Sequence, residues 1–302
     1  MLEVDVSIRR IAPTAGRACW IMPNADRLRT TLRRAISSFR TTPGRRGRVV
    51  TLAGATEVFA TGDLHGNLEN FRTLLDRAQL RSHPARHLVF QEVIHGPLRY
   101  PDGGDKSHQL VDLIAALKCE FPGQVHYLPG NHELAQASGR QVGKEGDDLN
   151  ERFRAGVASA YAPLDAEIYD LYCELFAAAP LALRTANRVL LTHSLPNRIA
   201  LERFDPAVLE RDAVAESELL PGGSVYALLW GRDTRAETVT DFLGRMDADL
   251  ALTGHIPCEQ GFATPGNQQV VLDCSREPAC YCLFPADRAI DHARLVACVA
   301  KL

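Results

Sequence analysis

The chain has 302 residues, of which 46% are hydrophobic and 24% are charged, enough to form one large domain with a substantial core. Its formal net charge of −3 gives no overall attraction to nucleic acids or anionic membranes. No apolar stretch approaches the ~20 residues of a membrane-spanning helix, and the N-terminus lacks the basic-then-apolar pattern of a signal peptide. We therefore expect a cytoplasmic protein whose eight cysteines are reduced thiols.

Residues 1–50 are predicted to be a basic, helical N-terminal extension, and residues 51–302 the main domain. Asn24 or Asp26 can cap a helix that continues to about residue 39. Apolar residues recur at helical spacing on one face, namely Leu28, Leu32, Ile36 and Phe39. Arginines occupy the other faces. We interpret this segment as a helix packed on the main body with a solvated basic face, and contact with phosphate or nucleic acid is the alternative.

From residue 49 onward, strand and helix patterns alternate. The first half is predicted to contain strands at 49–53, 57–61, 87–94 and 124–128 and helices at 68–79 and 109–120. Strands that alternate with helices indicate parallel pairing with right-handed crossovers. A polar segment, 139–150, is predicted to be a surface excursion or a lid.

The second half continues the α/β pattern. Helices are predicted at about 149–161, 166–178 and 236–246, and strands at 188–192 and 249–253. The segments 268–273, 279–284 and 292–299 are predicted to close the sheet as β-rich structure.

Four of the predicted strands end in polar residues of the kinds that bind metals. The residues at these ends are Asp63 with His65, Asn131 with His132, His193, and His255. Because open α/β sheets place their chemistry at the carboxyl ends of strands, we expect these side chains to converge. Nitrogen and oxygen donors without a thiolate are typical of sites that bind Mn²⁺, Fe or Zn²⁺, and they argue against a closed structural zinc site.

The same motifs resemble those of the calcineurin-like metallophosphoesterases, most of all the branch with the phosphoprotein phosphatases and symmetrical dinucleotide tetraphosphatases. Gly62-Asp63-Leu64-His65-Gly66 resembles the opening motif of that branch, and Gly130-Asn131-His132-Glu133 matches its Gly-Asn-His-Glu block. His193 and Thr253-Gly254-His255-Ile256-Pro257 match the two later histidine blocks. The likeness covers about 56–285 and implies two mixed β-sheets packed as a sandwich with helices on both outer faces.

The middle motif departs from the family pattern Gly-Asp-x-Val-Asp-Arg-Gly. In register, this chain has Gln91-Glu92-Val93-Ile94-His95-Gly96. Glu92 then stands where the metal-bridging aspartate belongs, and His95 replaces the aspartate that orients the catalytic histidine. Gly96 replaces a phosphate-binding arginine. In an alternative register, Asp102 or Asp105 supplies the missing carboxylate.

The resemblance implies two divalent metal ions, with Mn²⁺, Fe and Zn²⁺ as the candidates. Their expected ligands are Asp63, His65, Glu92, Asn131, His193 and His255. Asp63 and Glu92 would bridge the two ions. His65 and His255 would complete the ligands of one metal ion, and Asn131 and His193 those of the other.

The resemblance also implies which residues act on the phosphate. The candidate catalytic residues are His132, Arg232, Asp63 and His95, and the candidate substrate-binding residues are Asn131, Arg232, Arg235 and Arg99, followed by Arg198. A hydroxide that bridges the two metals is expected to attack phosphorus in line, while His132 protonates the leaving oxygen. Arg232 is the first choice to replace the lost arginine, because related phosphatases carry a phosphate-contacting arginine between the two late histidines.

The function implied is a metal-dependent phosphatase that hydrolyses phosphomonoesters, with phosphoserine or phosphothreonine in proteins as the suggested substrate. One alternative is a nucleotide or dinucleotide polyphosphate hydrolase. Another is a regulatory binding module, catalytically impaired by the altered middle motif. The expected partner is a phosphorylated protein or nucleotide, with no membrane and no nucleic acid, and the oligomeric state is left open.

Overall fold

The computed structural model describes residues 24–144 and 147–302, so residues 1–23 of the predicted extension lie outside it. The helices within these ranges are α1 (Ala25–Arg40), α2 (Leu68–Ala78), α3 (His108–Glu120), α4 (Asn131–Ser138), α5 (Leu149–Tyr161), α6 (Asp165–Ala178), α7 (Arg198–Leu201), α8 (Ser224–Trp230), α9 (Ala236–Arg245) and α10 (His292–Ala297). Two short 3₁₀ helices cover Pro206–Glu210 and Glu216–Leu219. None of these described helices is long and apolar enough to cross a membrane.

Five strands form a mixed sheet that carries the first two motifs. Its members are β3 (Glu57–Asp63), β4 (Arg86–Gln91), β5 (Val125–Leu128), β13 (Cys280–Pro285) and β14 (Val299–Lys301), in the spatial order β14-β13-β3-β4-β5. The neighbours β3, β4 and β5 are parallel and are connected through α2 and α3, as the alternation of strand and helix predicts. β13 joins β3 antiparallel, and β14 joins β13 antiparallel at the edge.

Seven strands form the second mixed sheet, which carries the two late histidines. Its members are β1 (Arg45–Arg46), β2 (Val49–Leu52), β8 (Ala182–Thr185), β9 (Val189–Thr192), β10 (Leu250–Thr253), β11 (Phe262–Ala263) and β12 (Gln269–Leu272), in the order β1-β2-β8-β9-β10-β12-β11. β9, β10 and β12 are parallel neighbours. A separate hairpin pairs β6 (Gly143–Lys144) with β7 (Asp147–Asp148) within the predicted polar excursion.

Alternate residues of each strand bury into different layers. In β3, Val58 and Ala60 face the apolar layer between the two sheets, whereas Phe59 faces a core shared with α1, α2 and α3. A third core joins the outer face of the seven-stranded sheet, through Leu190 and Ala251, to α8 and α9. The layers therefore run helices, sheet, sheet, helices, and the predicted α/β sandwich is confirmed.

Helix α1 packs on the main body through its apolar face. The Asn24 side chain accepts a hydrogen bond from the Arg27 backbone N–H and caps the helix. The buried residues are Leu32, Ala35, Ile36 and Phe39. Arg33 bonds Glu167 of α6 at 2.7 Å. Part of the basic face thus meets carboxylates of the same chain, which reduces the charge available to a phosphate polymer.

One predicted strand boundary and one predicted β-rich segment are wrong. β4 ends at Gln91 instead of residue 94, because Glu92 adopts a left-handed φ of 23° that turns the chain out of the sheet. The segment 292–299 is mainly α10 and not β-structure. Its start is fixed by the Asp291 side chain, which accepts from the Arg294 N–H, and Leu295 buries against the sheet.

Lys118 on α3 is fully buried, and its ammonium donates to Thr42 Oγ1 at 2.9 Å, Pro122 O at 2.7 Å and Val125 O at 3.0 Å. Burial lowers its pKa to about 7, with a smaller contribution from Arg45. Above that pKa the unfolded chain binds a proton here that the folded chain does not, so this residue makes stability rise with pH.

We expect the unfolding free energy of the parent chain, relative to that of Lys118→Met, to increase between about pH 7.5 and about pH 9, by up to about 1.4 kcal/mol per pH unit. Urea denaturation of both proteins across this pH range measures the difference in their unfolding free energies. Ionisation of the cysteines contributes equally to both proteins and cancels in this difference. Parallel pH profiles would contradict the assignment.

Candidate metal centre

The carboxyl ends of strands from both sheets meet at one place. Asp63 ends β3, and Glu92 directly follows β4. From the other sheet, His193 directly follows β9 and His255 lies two residues beyond β10. A hydrogen bond of 2.7 Å from the His255 backbone N–H to Asp63 Oδ2 joins the two sheets at this point. The predicted convergence of strand-end residues is therefore observed.

Glu92 lies at the middle of the cluster and is 1% exposed. Its Oε1 accepts from the His132 backbone N–H at 2.9 Å and lies 3.7 Å from His193 Nε2. Its Oε2 lies 3.3 Å from His65 Nε2. A Cβ on Gly130 would sit 2.2 Å from Oε1, so only glycine permits this position of the carboxylate. Glu92 thus reaches ligand atoms on both sides of the site.

Two groups of potential ligand atoms share this carboxylate. Asp63, His65 and Glu92 form one group, and Glu92, His193 and His255 form the other, with the ligand atoms of each group within 4.8 Å of one another. His255 Nδ1 lies 3.0 Å from His193 Nε2, so His255 groups with His193 and not, as the resemblance implied, with His65. Asn131 Oδ1 also contacts His193 Nε2, at 3.1 Å.

The chemistry of these residues fits divalent cations. Burial raises the pKa of Glu92 to about 7, and the nearby Asp63 carboxylate adds to that effect. Burial also works against the Asp63 carboxylate, but His193, His65 and His255 outweigh it and lower the pKa of Asp63 to about 2. Asp63 Oδ1 and His193 Nδ1 face each other at 3.5 Å, and neither atom has another hydrogen-bond partner within the described residues. Cations between these groups would neutralise the carboxylates and occupy the unpartnered atoms.

Hydrogen bonding also prepares His65 as a ligand. Its Nδ1 lies 2.9 Å from the Ile94 carbonyl oxygen, which can only accept, so Nδ1 carries the proton. Burial works against the charged ring, but the Glu92 and Asp63 carboxylates outweigh it and raise the pKa of His65. A metal would therefore displace the proton from Nε2, which lies 3.3 Å from Glu92 Oε2.

Backbone strain is concentrated at the same place. His65, Glu92, His95 and His255 all have positive φ, at 41°, 23°, 64° and 67°. Each such conformation costs about 1–3 kcal/mol for a residue with a side chain and is typical of functional sites. Three of these residues, His65, Glu92 and His255, belong to the two ligand groups.

Glu133 holds the turn after β4, a role that the sequence analysis did not assign. Its Oε1 accepts from the backbone N–H groups of Val93 at 2.8 Å and Ile94 at 3.2 Å, and its Oε2 accepts from Gly130 N–H at 2.8 Å. A glutamate at the third position of a helix is a capping signal, so the pattern at the start of α4 was visible in the sequence. The carboxylate ties the loop carrying Glu92 to the helix carrying Asn131.

His132 lies beside this cluster, half-buried, with two histidines packed against it. Its ring centroid is 5.4 Å from His65 and 5.0 Å from His95, both edge-on.

His95 Nδ1 is 3.6 Å from Asp105 Oδ2, and neither atom has a hydrogen-bond partner in the described part of the chain. Asp105 therefore lies behind His95, outside both metal groups. Asp102 lies on an exposed loop, where its Oδ1 accepts a hydrogen bond from the Gly104 N–H. Because both ligand groups contain Glu92 and neither contains Asp102 or Asp105, the geometry favours Glu92 as the shared carboxylate.

The backbone explains why residue 96 is not the family's arginine. A Cβ on Gly96 would lie 2.7 Å from the His65 carbonyl oxygen and 2.8 Å from the Gly66 Cα. No side chain fits there without moving the loop, so a phosphate-binding cation must come from elsewhere.

Of the predicted phosphate-binding arginines, Arg232 lies against the cluster. Its Nε donates to His255 Nε2 at 3.0 Å, and the residue is exposed beside a cavity of about 520 Å³ lined by Asn197, Trp230 and residues 232–235. The others contact carboxylates: Arg235 binds Asp233, Arg99 lies 3.3 Å from Asp105, and Arg198 binds Asp241.

The profile of the calcineurin-like phosphoesterase family matches residues 56–259. This chain belongs to that family, and the resemblance drawn from the strand-end motifs is confirmed. A relative from Encephalitozoon cuniculi (strain GB-M1), described as a probable serine/threonine-protein phosphatase, is 25% identical over 243 residues. That match covers 74% of this chain and 47% of the relative, so the chain spans about half the length of that protein.

Solved structures share the fold at low identity. A protein serine/threonine phosphatase from Saccharomyces cerevisiae with similarity to human phosphatase PP5 superimposes with a TM-score of 0.66 at 14% identity, over 92% of this chain and 89% of the other. A cold-active protein-tyrosine phosphatase from a psychrophilic Shewanella gives 0.59 at 15% identity, over 87% and 84% of the two chains.

The position of the shared carboxylate is testable. We expect Glu92→Gln to weaken metal affinity at least about tenfold, because a neutral amide cannot balance two cations. Asp105→Asn is the matched control, because it also neutralises a buried carboxylate but lies outside both ligand groups. It should leave metal stoichiometry unchanged. Elemental analysis after dialysis against limiting Mn²⁺ measures both. Loss of metal from Asp105→Asn alone would favour the alternative register.

Proposed function

We propose that this chain is a dinuclear metal-dependent phosphomonoesterase that acts on phosphorylated proteins. The observation that carries the proposal is the pair of ligand groups that share Glu92. Membership in a phosphoesterase family supports the reaction class. The description of the Encephalitozoon relative as a serine/threonine-protein phosphatase supports phosphoserine and phosphothreonine as substrates.

Two divalent ions, when bound, would supply Lewis-acid polarisation of the phosphoryl oxygens and a water of lowered pKa. Asp63, His65, Glu92, Asn131, His193 and His255 would hold them. The residues' own contribution is to fix these donors before substrate arrives. The His132 backbone N–H holds the Glu92 carboxylate, Glu133 fixes the turn that follows Glu92 through the Val93 and Ile94 N–H groups, and the Ile94 carbonyl orients His65.

His132 is the proposed proton donor to the leaving oxygen. Burial, together with His65 and His95, lowers the pKa of its imidazole to about 2, so the ring is neutral in the free protein. A phosphate dianion next to the ring favours its protonated form, so substrate binding supplies the charge that the free site disfavours. His95, which packs edge-on against His132 and faces Asp105, is proposed to position the ring.

Arg232 is the proposed phosphate clamp. A guanidinium donates two parallel hydrogen bonds to phosphate oxygens, and Arg232 is exposed beside His255. Asn131, whose Oδ1 lies 3.1 Å from His193 Nε2, is the proposed second contact to phosphate.

Turnover tests the proposal directly. We expect the Mn²⁺-loaded chain to hydrolyse p-nitrophenyl phosphate and phosphoserine or phosphothreonine peptides, and to lose activity on chelation. His132→Asn should lower kcat by about 10²- to 10⁴-fold with metal content unchanged, because only the proton donor is removed. His83→Asn, a histidine outside the cluster, serves as the control.

Two bound metals without hydrolysis under Mn²⁺, Fe²⁺ or Zn²⁺ would reject catalysis and support a regulatory binding module. Preference for Ap4A or mononucleotides over phosphopeptides would keep the chemistry and reject the protein substrate.

Arg232→Lys should raise KM for p-nitrophenyl phosphate about tenfold, because lysine keeps the charge but loses the paired donors. Arg235→Lys makes the matched change three residues away, where the guanidinium is paired with Asp233, and should leave KM unchanged. Steady-state kinetics of the two variants measures the contrast. The reverse pattern would assign the phosphate to Arg235.

A further inference from the structure

A second cavity, separate from the metal ligands, lies between α4, α8, the C-terminal end of α6 and the segment 212–219. Its volume is about 530 Å³, within the range of small-molecule sites. Most of its wall is apolar, through Leu134, Phe176, Leu181, Val214, Leu219 and Leu229. Such a wall favours an apolar ligand body over water.

Three arginines stand in the same wall, namely Arg40, Arg45 and Arg48. Arg45 Nη1 donates to the carbonyl oxygens of Phe39 at 2.9 Å and Ala178 at 2.6 Å, at the C-terminal ends of α1 and α6. Arg48 Nη1 donates to Ala179 O at 3.3 Å. Main-chain carbonyls orient these guanidiniums but do not neutralise them.

The positive charge of this wall is incompletely balanced. Arg40 pairs with Glu174 at 2.9 Å, and neither Arg45 nor Arg48 forms an ion pair with any residue in the described ranges. Arg48 Nε is buried and lacks a hydrogen-bond acceptor within those ranges. Burial, followed by Arg45 and Arg40, lowers the pKa of Arg48 to about 10, which an anion in the cavity would reverse.

The two carboxylates of the wall do not supply that anion. Glu133 is engaged by the backbone N–H groups of Val93, Ile94 and Gly130. Asp212 acts on Arg45 and Arg48 only through longer-range attraction, since it lies beyond ion-pair distance of either.

We propose that this cavity binds a small amphipathic anion, with a carboxylate or phosphate head at Arg45 and Arg48 and an apolar body against Phe176, Leu181 and Leu229. The arginines alone would accept inorganic anions, and the apolar wall alone would accept neutral hydrocarbons. Their combination in one cavity selects a molecule that carries both parts. The proposal does not rest on the phosphoesterase chemistry, and the cavity is connected to the metal cluster through Glu133, which lines its wall and holds the turn after Glu92.

Calorimetric titration of the whole chain with octanoate and octyl phosphate tests this, after dialysis against a chelator so that octyl phosphate is not hydrolysed at the proposed metal centre. Both are expected to bind with one-to-one stoichiometry at this cavity, and acetate and octanol at least tenfold more weakly, since each lacks one of the two parts. If only octyl phosphate binds, the head must be a phosphate. If octanol binds as tightly as octanoate, or neither amphiphile binds, the proposal is overturned.

Variants locate the binding. Ala137 lines the cavity but is solvent-exposed, so Ala137→Phe should fill the cavity without displacing core residues and abolish octanoate binding. Ala116→Phe, an exposed alanine of α3 outside the cavity, should leave it unchanged. Arg48→Gln should weaken octanoate binding at least tenfold, and Arg40→Gln severalfold. Arg34→Gln, on the same helix as Arg40 but outside the cavity, should leave the affinity unchanged. Unaltered affinity in both Ala137→Phe and Arg48→Gln would reject the site.

Discussion

The buried carboxylate of Glu92 is the constraint around which this molecule is arranged. A carboxylate without water is costly unless hydrogen bonds and positive charge compensate it, and several parts of the chain supply both. The His132 backbone N–H donates to it, two histidines flank it, and Gly130 leaves the room that it occupies. The departure from the family's middle motif is thus accommodated by local structure.

The turn at Glu92 also sets the shape of the loop that follows it. The chain turns out of the sheet at Glu92 itself, which has a positive φ of 23°. The turn frees the backbone N–H groups of Val93 and Ile94 from the sheet, and Glu133 accepts both. It also brings Gly96 against Gly66, which excludes a side chain there and leaves phosphate recognition to a different part of the chain.

Much of this arrangement was readable in the sequence. Short apolar runs that alternate with helices of period 3.6 predicted the parallel unit β3-α2-β4-α3-β5, and polar residues after four strands predicted the cluster. The ends of strands were harder to predict from the sequence. The end of β4, for example, depends on Glu133, a hydrogen-bond acceptor 40 residues away from Val93. The grouping of His255 with His193 follows from the pairing of β9 with β10 in the seven-stranded sheet, two strands that lie about 60 residues apart in the chain. The position of Asp105 behind His95 depends on how the intervening loop folds. Local periodicity carries none of that information.

The site is assembled from two sheets that touch directly at the bond between His255 and Asp63. The spacing of the ligand groups is therefore set by the thickness of the apolar layer between the sheets, where Ala60 and Leu252 lie fully buried. A methylene added or removed there shifts one set of ligands against the other while every ligand residue is retained. If the two ligand groups bind metal as proposed, variation in this layer is limited by the spacing of the ligands as well as by folding.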